Sequence, residues 1–207
     1  MIKKPSNYDN VEVTEFDFTP IELGGHKGII MKAEEYTSPQ SGKTSLRVSV
    51  DTAKDDKQPE YFAEQYKNDT RIDRKWSNSA IKYVPLGEEE NQVKMLKAFI
   101  TAYENSNNCQ FDWSKNWEQL TGKKIGLVFG AEEYINQNDD LKLNNKLRDF
   151  RSIYKVDNIK IPKVKKLDNS YVDYEEYISK NNSNSTTDTV SNLFGDVVEV
   201  SSENLPF

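Results

Sequence analysis

Leu46, Val48 and Val50 alternate with Arg47 and Ser49, and no other stretch restricts the fold of this chain so tightly. A period of two places the aliphatic side chains on one side of a strand and the polar ones on the other. Ser45 to Thr52 is therefore a half-exposed strand. Ser38-Pro39-Gln40-Ser41-Gly42-Lys43 precedes it with turn chemistry, since proline presets φ and glycine supplies positive φ. His26 to Thr37, with Ile29, Ile30, Ala33 and Tyr36, reads as the strand before that turn. Asp55 to Pro59 breaks the pattern. The polar residues through Arg74 carry a Tyr61-Phe62 and Tyr66 cluster and read as an irregular insertion, either packed into the body or closing over it as a flap. Trp76 to Val84, closed by Pro85 and Gly87, reads as a third strand.

Glu88 to Tyr103 predicts a helix. Val93, Leu96, Ile100 and Tyr103 recur at helical spacing with Phe99 alongside, and Glu88 to Glu90 complement the N-terminal dipole. Asn105 to Asn108 ends it, and Trp113 to Leu120 suggests a short second helix. Lys124 to Ile135 predicts a fourth strand, Asn136 to Asp140 a loop, and Leu147 to Val156 a fifth strand, although Leu147, Phe150 and Ile153 at spacing three also suit a helix. Three strands, a helix and two strands is the element order of an OB-fold, whose binding face lies on the second and third strands. The expected fold class is mainly β with one or two helices (α+β), an OB-fold-like five-stranded barrel with a disordered C-terminal tail.

The net charge of −6 over 207 residues hides a segregation. Lys142 to Lys166 carries nine basic residues against Asp149 and Asp157, whereas Asp168 to Phe207 carries eight acids against Lys180 alone. Asn181 to Asn192 is an Asn/Ser/Thr run with almost nothing to bury, so the tail is expected to stay disordered. The division expected is a body over 1–167 and a tail over 168–207, and the acidic tail can fold back on the basic stretch as an internal counter-ion. No stretch approaches the roughly 20 apolar residues of a membrane span, and Met1 to Pro5 lacks a signal-peptide run, which together point to the cytoplasm.

His26 is the only histidine and Cys109 the only cysteine, so neither a His/Cys metal site nor a disulfide is expected. Gly24-Gly25-His26-Lys27-Gly28 lacks the spacings of phosphate-binding loops and reads as a turn. No catalytic residue, cofactor or metal is expected. What the sequence does offer is cations interleaved with rings. Arg71, Arg74, Lys75, Trp76, Lys82 and Tyr83 lie at and within the third strand; Arg47 lies on the wet face of the second; Lys142, Lys146, Arg148 and Arg151 run through the loop and strand that follow. Single-stranded DNA asks for this mixture, because cations track phosphates and flat rings stack on unpaired bases.

The last residues, Glu203-Asn204-Leu205-Pro206-Phe207, follow an acidic, apolar-flecked segment. They resemble the tail of bacterial and phage single-stranded DNA-binding proteins, with Asn204 standing where that family usually has aspartate. Phe99 to Asn107, Gly122 to Gly126, Phe129 to Tyr134 and Phe150 to Ser152 are similar to a family of Gram-positive phage and integrated-element proteins treated as single-stranded DNA-binding proteins. That likeness covers about residues 15 to 165. It implies an OB-like fold, service in replication or recombination, and a tail tip that binds replication or recombination proteins. The expectation is a non-enzymatic, sequence-tolerant binder of single-stranded DNA in a bacterial host cell, with homo-oligomerisation left open. The rival is an acidic interaction factor or inhibitor that binds replication proteins without touching DNA.

Overall fold

The computed structural model of the protein describes residues 19–182, together with Lys4 and Ser6. Its fold is mixed α+β. Strands β1 (Gly24–Thr37), β2 (Thr44–Thr52), β3 (Ile81–Pro85), β4 (Lys124–Ile135), β5 (Leu141–Arg151), β6 (Val164–Lys165) and β7 (Tyr171–Val172) form one sheet. Helices α1 (Tyr61–Asn68), α2 (Glu90–Asn107) and α3 (Tyr174–Asn182) accompany it. The sheet runs β3-β2-β1-β4. The first half of β4 pairs with β1, its second half touches β6 in parallel, and β5 lines its other edge.

The sheet is not closed. No ladder joins β3 to β5 among the described residues, so the expected five-stranded barrel is replaced by an open seven-stranded sheet. The two edges are still drawn together, because Lys82 Nζ on β3 donates to the carbonyl of Arg148 on β5 at 2.6 Å. Arg148 is skipped by the β4–β5 ladder, where the register shifts between Val128 and Phe129. A bulge of this kind unpairs one residue and bends its strand.

A second bulge lies in β1. His26, Gly28 and Ile30 face the core, but the β1–β2 register shifts between Ile30 and Lys32, with Met31 turned out. Beyond it Ala33 is the buried residue, and Lys32, Glu34 and Tyr36 fall on the opposite face. The core beneath joins Ile30, Leu46, Val48 and Val50 to Ile125, Leu127 and Phe129, with Phe99, Ile100, Ala102 and Tyr103 of α2 packed against them. Val93, expected on the buried face of that helix, is exposed, so burial is confined to its C-terminal half. Gly25 and Gly126 lie within strands, contrary to the turn expected at Gly24 to Gly28. A Cβ on Gly25 would fall 2.0 Å from the Val156 carbonyl oxygen, so only glycine admits the 3-10 turn Ile153–Asn158 that crosses here. That turn replaces the end of the strand expected over Leu147 to Val156, and β5 instead begins at Leu141.

The insertion after β2 is built rather than irregular. Phe62 of α1 is buried against Phe129, ring centroids 5.8 Å apart. The Asp51 carboxylate accepts from the N–H groups of Phe62 (2.9 Å) and Ala63 (3.2 Å), and the Thr52 hydroxyl accepts from Tyr61 N–H (2.9 Å). Two side chains of β2 thereby satisfy donors that a helix start leaves orphaned. Nearby, fully buried His26 has Nδ1 2.8 Å from Asp56 Oδ2 and Nε2 3.0 Å from the Glu22 carbonyl. Asp56 also accepts from the N–H groups of Lys27 (2.7 Å) and Gln58 (3.0 Å). This node fastens the loop after β2 to the start of β1.

The body does not stop at 167. Ala131, Leu143, Val164 and Tyr177 form a satellite core with Leu23, Val172, Tyr174 and Ile178 around it, and Tyr177 hydrogen-bonds Glu133. Residues 168–182 therefore belong to the folded body, because Tyr177 and Ile178 give α3 an apolar face that the Asn/Ser-rich run lacks. The rest of the expected tail, 183–207, lies outside the described residues.

Asp56 sets a pH test. Burial alone would raise its carboxyl pKa, but the hydrogen bond from His26 and those from the Gln58 and Lys27 N–H groups outweigh burial and hold it below the usual value of 3.8. A depressed folded value means stabilisation that is present above the ordinary carboxylate range and is lost as pH falls through the folded pKa. Asp56→Asn is expected to cost on the order of 3 kcal/mol near neutrality, and the gap to the parent to narrow below about pH 4. Urea melts across pH measure it; a gap that is constant down to pH 2 contradicts the assignment.

Candidate nucleic-acid interface

The outer face of β1, β2 and β3 is where the predicted chemistry is most open. Register places Glu34, Arg47 and Tyr83 side by side across the three strands, with Tyr36 beside Ser45 one pair further on. The Tyr36 and Tyr83 rings meet with centroids 5.4 Å apart and planes 57° apart. Arg47 lies opposite Tyr83, with its side chain 35% exposed and Nη1 3.6 Å from Glu34 Oε1. Its Nε is enclosed and without a hydrogen-bond partner. Glu34 also takes Lys32 Nζ at 2.6 Å. Partial burial raises the Tyr83 phenol pKa, and the nearby Arg47 charge opposes it. This face thus combines two rings, a guanidinium with donors to spare, a lysine and a carboxylate.

Arg47 and Tyr83 were expected here from sequence; Tyr36, Glu34 and Lys32 were not. The missed signal is the odd spacing of the buried Ile30 and Ala33, which cannot both lie on the core side of an unbroken strand.

About 10 Å along β2, three residues on from Arg47, Val50 offers its carbonyl to Trp76 Nε1 at 3.1 Å. Trp76 precedes β3 instead of beginning it, the intervening Asn78–Ala80 being a 3-10 turn. It packs against the main core and lies 5.9 Å from the Tyr66 ring. Half-buried and with its indole N–H satisfied, Trp76 is tied to the scaffold beside the expected binding face. Arg74 stacks its guanidinium over Tyr66 at 4.7 Å, Lys75 is exposed, and Arg71 forks onto Asp69 at 2.8 to 3.1 Å.

Three of the four residues in the second basic cluster, Lys146, Arg148 and Arg151, are engaged in ion pairs. Lys142, Lys146, Arg148 and Arg151 all lie in β5, none of them in a loop. Glu132 of β4 gathers Lys165 (2.7 Å), Arg148 (3.2 Å) and Lys146 (4.0 Å). Burial would raise the Glu132 pKa; those cations lower it below the ordinary range. Arg148 is 19% exposed and lies 5.7 Å from the Tyr171 ring centroid, so it braces β7 against β5. Arg151 pairs with Asp149. Lys82 is where the two sequence clusters meet. It points into the seam, burial depresses its pKa, and Asp149, Arg148, Lys146 and Arg151 all act on its charge. Trp76→Ala should therefore behave as a core variant, losing about 2–4 kcal/mol of stability. A thermal melt equal to that of the parent would return Trp76 to the surface.

No family model and no curated protein matches this chain.

Proposed function

We propose that the protein binds single-stranded DNA without strong sequence demand, acting as a binding protein and not as a catalyst, through the outer face of β1, β2 and β3. The observation that carries this reading is the Tyr36–Tyr83 ring pair with Arg47 beside it. Rings of this kind stack on unpaired bases, and an arginine with unused donors neutralises phosphate. The reading treats the sheet as an incompletely closed OB-type barrel. Strands β1 to β5 follow that order, β1 pairs with β4, and Lys82 ties the β3 and β5 edges that a barrel would join. The resemblance of Phe99 to Asn107 and Phe129 to Tyr134 to phage and mobile-element proteins supports service in replication or recombination inside a bacterial cytoplasm. Glu203, Asn204, Leu205, Pro206 and Phe207 serve in this reading as the partner-binding tip. Among the described residues no helix is long and apolar enough to cross a membrane.

Fluorescence anisotropy with labelled oligo-dT across a salt series tests the interface. Binding should fall as salt rises and exceed binding to duplex. Tyr83→Ala and Tyr36→Ala should each cost about 1–3 kcal/mol of affinity, and Arg47→Ala should flatten the salt slope by about one. Equal duplex affinity, or variants that bind like the parent, refutes the interface. Absence of binding at low salt leaves the acidic interaction-factor reading in its place.

Removing Val198 to Phe207 separates tail from body. The shortened chain is expected to hold oligo-dT at least as tightly as the full one, since Glu199 and Glu203 go with the segment. It should also lose capture of replication proteins that the full chain retains. Weaker DNA binding, or capture that survives, contradicts the division of labour.

A further inference from the structure

We propose that Glu34 reads guanine on the strand held by this face, an inference that rests on the interface just described. A carboxylate is out of place on a surface meant only for phosphate, because it repels the backbone that Arg47 and Lys32 attract. Its position nevertheless follows from the fold. The β1 bulge turns Glu34 outward, register sets it beside Arg47 in the row that ends in Tyr83, and its side chain is 37% exposed. It is two residues from Tyr36 on the same side of the strand, so a base stacked on the tyrosine pair presents its edge to this carboxylate.

The chemistry of that edge decides which base fits. An ionised carboxylate only accepts hydrogen bonds, through two oxygens held side by side. On the Watson–Crick edge guanine alone places two donors together, N1–H and the N2 amine, and so matches both oxygens. Adenine and cytosine set an amine beside an acceptor nitrogen, and thymine sets one N–H between two carbonyls, so each brings an acceptor against the carboxylate. The contact with Arg47 does not consume Glu34, since 3.6 Å is too long for a hydrogen bond and leaves Oε1 able to take a base donor. Lys32 holds Oε2 at 2.6 Å from a flexible, 64% exposed side chain, and that oxygen retains a second lone pair. Arg47 and Lys32 flank the carboxylate and hold it in place, while the rings carry the stacking.

The test compares oligo-dT with oligo-dT carrying isolated guanines, isolated inosines, which lack the N2 amine, or isolated 7-deazaguanines, which lack N7 and keep the Watson–Crick edge. The full-length protein should bind the guanine oligonucleotide about tenfold more tightly than oligo-dT, the scale of one bidentate base contact. The preference should survive 7-deazaguanine and shrink with inosine. In Glu34→Gln, checked for an unchanged melt, the ratio should fall to near one. A preference lost with 7-deazaguanine and kept with inosine assigns the reading to Arg47 at the other edge of the base and overturns the proposal. Equal affinity of the parent for all four oligonucleotides, or equal tightening of all four by Glu34→Gln, overturns it while leaving the interface standing. Absence of binding to any of them removes both.

Discussion

The bulge at Met31 decides what the outer surface of the sheet carries. Before it, even-numbered residues of β1 point inward: His26, Gly28 and Ile30. An unbroken strand would continue that parity and drive Lys32, Glu34 and Tyr36 into the core, where two charges and a phenol would each need a partner. One extra residue reverses it. Ala33 then fills the interior and the three polar side chains join Arg47 and Tyr83 outside. The candidate interface is thus a consequence of a single register shift in a strand whose first half is pinned on both edges by β2 and β4.

What pins that half also explains why only part of the sheet is open. The turn Ile153–Asn158 lies over Gly25 and Gly126 and covers the outer face where β1 meets β4. Further along β4, Glu132 collects Lys146, Arg148 and Lys165, and the satellite core around Tyr177 closes that end. The strongly basic run in the sequence is therefore spent mostly on internal ion pairing. The less conspicuous face of β1, β2 and β3 keeps its donors and rings available. Loosely held charges on a surface bind a polyanion at smaller cost than charges that must first leave a partner.

Much of the frame was legible in the sequence. The alternation of Leu46, Val48 and Val50, the apolar run of Lys124 to Ile135 and the turn at Ser38 to Lys43 gave strands close to those observed, since local periodicity and turn chemistry suffice for each. Other features depend on contacts distant in sequence. Helix α1 starts where it does because Asp51 and Thr52 on another strand cap it, so its own polar composition said little. Trp76 looked like a stacking residue because it sits among Arg74, Lys75 and Lys82, yet Val50 and the core claim it. Arg148 looked free because its sequence neighbours are basic, whereas Glu132, its counter-charge, lies in the preceding strand. Tyr36 carries no local signal as a site residue, because its orientation is set by a bulge that only the pairing with β2 reveals.

The central claim is that an unpaired base lies on the Tyr36–Tyr83 pair. Oligo-dT substituted with 5-iododeoxyuridine, irradiated in complex with the full-length protein and digested for peptide mass spectrometry, locates the rings that touch bases. Adducts on Tyr36, Tyr83 or both are the expected result. Adducts confined to the exposed Trp113 or Tyr154, with none on Tyr36 or Tyr83, would contradict the account.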